Sequence, residues 1–182
     1  HGTFDGRDAK FNLRGPDLGV ETLAGWLKPF RRPLVIVHGG SASGPFLTGL
    51  SAPGRVVITA TRSGEEQNYA RFGAVFAATV ADPTADLDRD GQTSLFEAFL
   101  ATARRVEEFY QTDSRLPTEH ALLDDNGDRR GTPANWFRGL RPTRQAEDGA
   151  AVDGLRAHQV HLVRAPGERL LPPGLRQRRD EI

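Results

Sequence analysis

Residues Asp86-Leu87-Asp88-Arg89-Asp90-Gly91-Gln92-Thr93-Ser94-Leu95-Phe96-Glu97 place four carboxylates in one short stretch. Calcium is a hard cation that takes six to eight oxygen ligands. A twelve-residue loop can deliver them from its positions 1, 3, 5, 7, 9 and 12, around a glycine at position 6. Those positions hold Asp86, Asp88, Asp90, Gln92, Ser94 and Glu97, with Gly91 at the turn. Gln92 would ligate through its backbone carbonyl, Ser94 through a water, and Glu97 with both carboxylate oxygens. The charges argue the same way. Acids folded into one loop repel each other, Arg89 offsets little of that, and a divalent cation removes the penalty. The other reading of the same residues is a solvated acidic loop that caps the helix beginning near Ser94.

Thr93 stands where an apolar residue usually packs, and Pro83 separates the loop from the helix before it. The stretch therefore resembles a single EF-hand or dockerin loop set into another fold. Downstream, Asp124, Asn126 and Asp128 repeat the first half of the spacing, but Arg129 takes the glycine position and Asn135 the final glutamate position. That stretch pairs with the first loop, completes its coordination, or is a polar turn, and the polar turn is the expectation.

Such a loop needs elements to hold it. Asp17 is a suitable N-cap for a helix through Phe30, with Val20, Leu23, Ala24 and Leu27 on one face. Leu34–His38 is an apolar run of the kind found in buried parallel strands. A glycine-rich turn, Gly39 to Gly44, and a short helical stretch from Pro45 to Leu50 lead to a second such run, Arg55–Thr61. Two buried strands with a crossover between them predict a βαβ unit and a parallel sheet. Phe72–Ala81 reads as a helix ended by Pro83. Leu95, Phe99, Ala103, Val106 and Tyr110 mark a long amphipathic helix, and His120–Asp124 is a third strand candidate. Beyond Pro133 the periodicity decays. The organisation read from this is an α/β domain over residues 1–135, which includes the loop 86–97, and an irregular extension over 136–182.

Composition removes several function classes. The chain has 182 residues, enough for one domain with a core. It contains no cysteine, so no thiolate can serve as nucleophile or metal ligand and no disulfide can form. Lysine plus arginine balance aspartate plus glutamate at 24 each, which gives no basic field for nucleic acid. Arg176, Arg178 and Arg179 lack interleaved aromatics, so nucleic acid is not an expected partner. No apolar run approaches the roughly 18 residues of a membrane span. Methionine is absent and the chain begins at His1, which reads as a segment of a longer protein. The compartment is not fixed by these residues; an exported or periplasmic setting is favoured. His38 is expected to end its strand with a satisfied ring nitrogen, Trp26 and Trp136 to pack, and Arg62, Glu65 and Glu66 to rim a pocket or stay solvated. His158 and His161 have a metal-compatible helical spacing but no third ligand nearby in sequence, so no role is assigned to them.

Three further segments combine. His1-Gly2 opens the chain, Ser41-Ala42-Ser43-Gly44 follows the first apolar run, and Ile58-Thr59-Ala60-Thr61-Arg62-Ser63-Gly64-Glu65-Glu66 closes the second. In this order they resemble the caspase/legumain-like cysteine peptidases, closest to the legumain side and of bacterial type. Lys10 to Leu18 looks like the segment between the first two. The resemblance implies an α/β three-layer parallel sheet, incomplete at its N-terminus, with the site at the carboxyl ends of the strands. His1 matches the family's catalytic histidine and Ser41 the position of its cysteine. A serine hydroxyl is a much weaker nucleophile than a thiolate and needs a placed base and an oxyanion hole. The resemblance thus implies a catalytically inactive peptidase-like domain, and with the loop 86–97 the reading is a calcium-binding domain of that kind with a structural or binding role toward a protein or peptide. The other outcome is an active hydrolase using Ser41 with His1. Oligomeric state is not indicated.

Overall fold

The computed structural model describes residues 1–146, 149, 151–163 and 174–175. Its sequence order is β1 (Gly2–Phe4), β2 (Ala9–Phe11), β3 (Leu18–Gly19), α1 (Val20–Leu27), β4 (Leu34–His38), α2 (Gly44–Leu50), β5 (Arg55–Thr59) and α3 (Phe72–Val80). Then follow β6 (Thr93–Ser94), α4 (Leu95–Thr112), β7 (Leu122–Asp124), β8 (Thr132–Pro133), β9 (Phe137–Arg138), β10 (Arg141–Pro142), α5 (Leu155–Gln159) and β11 (His161–Val163). The two β-branched runs pair as β4 and β5, in parallel, from Leu34 opposite Arg55 to His38 opposite Thr59. Helix α2 makes the crossover between them.

Strand β5 is central and buried on both faces, and its side chains alternate between two cores. Val56 and Ile58 pack with Phe72, Leu95, Phe99 and Leu123 under α3 and α4. Val57 packs with Phe46, Leu47 and Leu50 under α1 and α2. Glycine permits one close approach on the first face. A Cβ on Gly39 would meet Gly73 Cα, on α3, at 2.5 Å.

The molecule is mixed α/β, and the expected all-parallel sheet is not what forms. In the order β4-β5-β7-β8, only β4 and β5 are parallel; β7 runs antiparallel to β5 and β8 antiparallel to β7. A parallel crossover needs one return pass. Here two helices, α3 and α4, separate β5 from β7, and an even number of passes delivers the chain to the end of β5 from which it left. Three small sheets complete the fold: β1-β2-β3, β9-β10, and β6 with β11.

The helix expected from Asp17 starts at Val20 behind Gly19. Asp17 instead accepts the Leu13 amide at 3.2 Å and the Asn12 side-chain amide at 3.1 Å, so it closes the β2–β3 turn. Trp26 is exposed on α1, not packed. The stretch read as an irregular extension contains α5 and β11, and Ala157 and Val160 pack into the α3–α4 core. Arg176, Arg178 and Arg179 lie outside the described residues. Among the described residues, no helix is long and apolar enough to cross a membrane.

Candidate metal centre

The candidate loop lies between two packed helices. Helix α3 ends at Val80, and Asp82 caps a single helical turn, Pro83–Ala85, by accepting the Thr84 amide at 2.9 Å. Arg105 of α4 reaches back to Asp82 at 2.5 Å, Thr84 at 2.9 Å and Thr79 at 2.9 Å. The chain that enters the loop is thereby tied to the helix that follows it.

Within the loop, left-handed backbone occurs at Arg89 (φ 63°) and Gly91 (φ 82°). These turns fold the chain over its own carboxylates. Asp86 accepts the amides of Asp90 and Gly91, at 3.2 and 2.9 Å. Asp88 also accepts from the Asp90 amide, and Asp90 from that of Gln92. Thr93 and Ser94 form β6, which pairs with β11, so a β-branched residue suits the position where an apolar one was expected.

Ser94 caps α4, and the cap is reciprocal. Its hydroxyl accepts the Glu97 amide, while Glu97 Oε2 accepts the Ser94 amide at 2.8 Å and the Ser94 hydroxyl at 2.7 Å. Glu97 Oε1 accepts the amides of Leu87 and Asp88, at 2.8 and 3.3 Å. The side chain is 1% exposed. A carboxylate offers about four lone-pair directions, and Glu97 uses them on protein donors. To chelate with both oxygens it must exchange some of these partners for the ion.

Asp86, Asp88 and Glu97 can present ligand oxygens within 4.8 Å of one another, and they are the one such acidic or imidazole group among the described residues. Asp90 is not part of it; its two oxygens take the Gln92 amide and side chain. The donor set is anionic oxygen throughout, which fits calcium or magnesium better than zinc. His158, left without a role by the sequence, stands beside the loop. Its Nδ1 is 3.3 Å from Ser94 Oγ and its Nε2 3.9 Å from Asp88. It arrives on α5, and no local spacing signals that.

The stretch 124–132 folds as a polar turn that copies the first loop. Left-handed backbone recurs at Gly127 (φ 83°) and Arg129 (φ 68°), so the arginine in the glycine position still takes the glycine conformation. Asp124 accepts from the Arg129 amide, Asn126 from that of Asp128, and Asp128 from that of Arg130. The part of Glu97 is played by Asp153. One of its oxygens accepts the amides of Asp125 and Asn126, at 2.9 and 3.3 Å, and the other lies 2.6 Å from the Thr132 hydroxyl. Asn135, the residue at the matching sequence position, takes no part. The sequence carried no signal for Asp153.

Comparison with protein-family models, curated proteins and solved structures found no match.

The two residues matched to a peptidase site do meet. Ser41 Oγ lies 3.0 Å from His1 Nδ1. Ser41 is also 1% exposed, accepts the Gly2 amide at 3.0 Å and lies 3.1 Å from the Gly2 carbonyl. Gly2 sits so close that a Cβ there would overlap the Ser41 carbonyl oxygen. Amides that could stabilise an oxyanion are already used: that of Ala42 donates to the Glu66 carbonyl, and those of Ser43 and Gly44 to Thr61 Oγ1. His38 ends β4 with Nδ1 accepting the Gly40 amide, the satisfied ring nitrogen that was expected, while its Nε2 is buried with no partner among the described residues. Burial against Phe11 and Phe46 lowers the His38 pKa to about 4. Arg62 and Glu66 pair at 3.1 Å, and Glu66 also holds His120 Nδ1 at 2.6 Å.

Proposed function

We propose that this chain binds one calcium ion in the loop 86–97 and uses it to fix the start of α4, within a peptidase-like scaffold that performs no peptidase chemistry. The observation that carries the calcium reading is the convergence of Asp86, Asp88 and Glu97 oxygens within 4.8 Å. Those carboxylates come from both ends of one loop, so an ion bridging them joins the chain before β6 to the first turn of α4. The reading as a non-catalytic domain, with a structural role or a protein or peptide ligand, rests on a different observation. Ser41 is buried and its neighbouring amides are committed to the protein. The hydrolase reading draws only on the 3.0 Å approach of Ser41 to His1. A hydroxyl without access or a free oxyanion donor has no route to a tetrahedral intermediate.

Calorimetric titration of the intact chain with calcium, and in parallel with magnesium, tests the calcium reading. The expected result is a single site with a dissociation constant on the order of 10⁻⁵ to 10⁻³ M, as for an unpaired loop. Absence of heat at millimolar calcium overturns it.

A further inference from the structure

A cleft of about 470 Å³ runs beside α4, and neither His1 nor Ser41 lines it. One wall is the face of α4 that carries Leu100, Ala103, Val106 and Tyr110 at helical spacing. The other wall comes from the chain around β7 and β8, with Ala121, Ala134 and Phe137. Phe72 adds a third aromatic ring. Alanines on both walls leave the space open. A volume of this size with a largely apolar lining is that of a small-molecule site.

The charged groups of the lining already have partners. Arg104 donates from Nε to Glu108 at 2.8 Å, and Glu107 accepts the Gln111 side-chain amide at 3.3 Å. Glu119 is 5% exposed and accepts the amides of Arg71 and Phe72 and the Tyr110 hydroxyl. These donors occupy its lone pairs and take up the Tyr110 hydrogen. Asn135 stands exposed at the rim.

His120 is different. Its Nδ1 lies 2.6 Å from Glu66 Oε1, and this is the one hydrogen bond of its ring among the described residues. Glu66 is not part of the lining. Its Oε2 accepts the amides of His120 and Arg62, and its Oε1 pairs with Arg62 Nε at 3.1 Å. A carboxylate held by donors on every other side accepts from Nδ1 as well, which assigns the hydrogen to Nδ1 and leaves Nε2 with its lone pair. The two ring nitrogens point away from each other, so Nε2 is turned away from Glu66. His120 thus brings an oriented acceptor to a cleft that is otherwise apolar or engaged.

We propose that this cleft binds an uncharged aromatic molecule carrying a hydroxyl group, of the phenol class, with that hydroxyl donating to His120 Nε2. An anion would find no unpaired cation on the walls, and a cation no unpaired acid. A neutral donor finds the His120 lone pair, and the rings of Phe72, Tyr110 and Phe137 suit an aromatic body. Glu66 and Arg62 are positioning residues, which hold the imidazole without touching the ligand. The proposal rests neither on an ion in the loop 86–97 nor on the chemistry of Ser41.

NMR titration of the intact nitrogen-labelled protein with para-propylphenol, at pH 8 in EDTA, tests this. Saturable shifts are expected at the amides of Leu100, Ala101 and Ala121, and the His120 Nε2 resonance should move while Nδ1 keeps its hydrogen. The methyl ether para-propylanisole lacks the donor and should bind roughly tenfold or more weakly, as should the anion para-propylbenzoate. In His120→Phe, which keeps a ring and loses the acceptor, the phenol should fall to the affinity of the ether. The ether itself should change by less than about threefold, since it makes no use of Nε2. Absence of saturable shifts in the cleft overturns the proposal. So does equal affinity for phenol and ether, tighter binding of the benzoate, or a phenol affinity that survives in His120→Phe. If that variant does not fold, the three probes on the wild type and the movement of the His120 Nε2 resonance decide.

Discussion

At the scale of single residues, Glu97 has two employments. It completes the cap of α4 and is the buried member of the acid group. Glu97→Gln keeps the size and one acceptor but loses the oxygen that receives both Ser94 donors. It should destabilise the calcium-free protein by about 1–2 kcal/mol, the usual worth of a cap, read as a lower urea midpoint. It should also weaken calcium binding by roughly tenfold or more, because an anionic ligand is gone. A variant that loses affinity with an unchanged urea midpoint would show that the cap is not important to the fold. Ser41→Cys asks the corresponding question of the other site. With access closed and the Gly2 amide in place, the new thiol should react with iodoacetamide far more slowly than an unstructured cysteine. Fast labelling that further declines on mutating His1 would restore the catalytic reading. The convergence of Asp86, Asp88 and Glu97 and the approach of Ser41 to His1 could be anticipated in sequence because residue type and spacing point to them. That Asp90 stands outside the converging acids, with its oxygens turned to Gln92, was not legible, because spacing alone does not show which oxygens neighbouring donors take.

Among the elements, α4 should respond most to calcium, since its first turn contains Glu97. An ion that binds only the folded form adds about 2.7 kcal/mol at a hundredfold excess over its dissociation constant. For a domain of this size the melting temperature should rise by roughly 5–10 °C. Hydrogen-exchange protection should increase at the start of α4 and in β6. A change confined to the loop, with no shift in melting, would make the ion a surface ornament. The strands β4 and β5 were readable because β-branched runs between turn residues leave little choice of element. The direction of β7 was not, because it depends on how many helical passes precede it. The start of α1 was misplaced because Asp17 satisfies a turn as readily as a helix end.

For the whole molecule, two buried groups set opposing pH dependences. His38 is depressed to about 4 when folded, so the unfolded chain takes up its proton first. Stability from this source is present above about 6.5 and is lost as pH falls toward 4, by about 3 kcal/mol. Asp153 is raised to about 7, so the folded chain keeps its proton longer. Stability from that source is present below about 4 and is lost as pH rises through 7. The two windows overlap with opposite sign. Urea midpoints of the wild type should therefore change little between pH 4.5 and 6.5, while single variants unmask the slopes. His38→Phe should become less stable with rising pH, and Asp153→Asn more stable. Parallel curves for all three proteins would refute the assignment. None of this was legible in the sequence, because both shifts arise from burial by residues distant along the chain.

The two copied turns differ in when they can close during synthesis. Glu97 reaches the Leu87 amide across 10 residues, whereas Asp153 reaches the Asp125 amide across 28. The longer reach costs only about 0.9 kcal/mol more in chain entropy. The delay is the larger effect. A ribosome adding about 5–20 residues per second finishes the first turn seconds before it delivers the residue that locks the second. Over that interval the first turn and α4 can serve as a template, while the Asp125 and Asn126 amides wait in water for their acceptor.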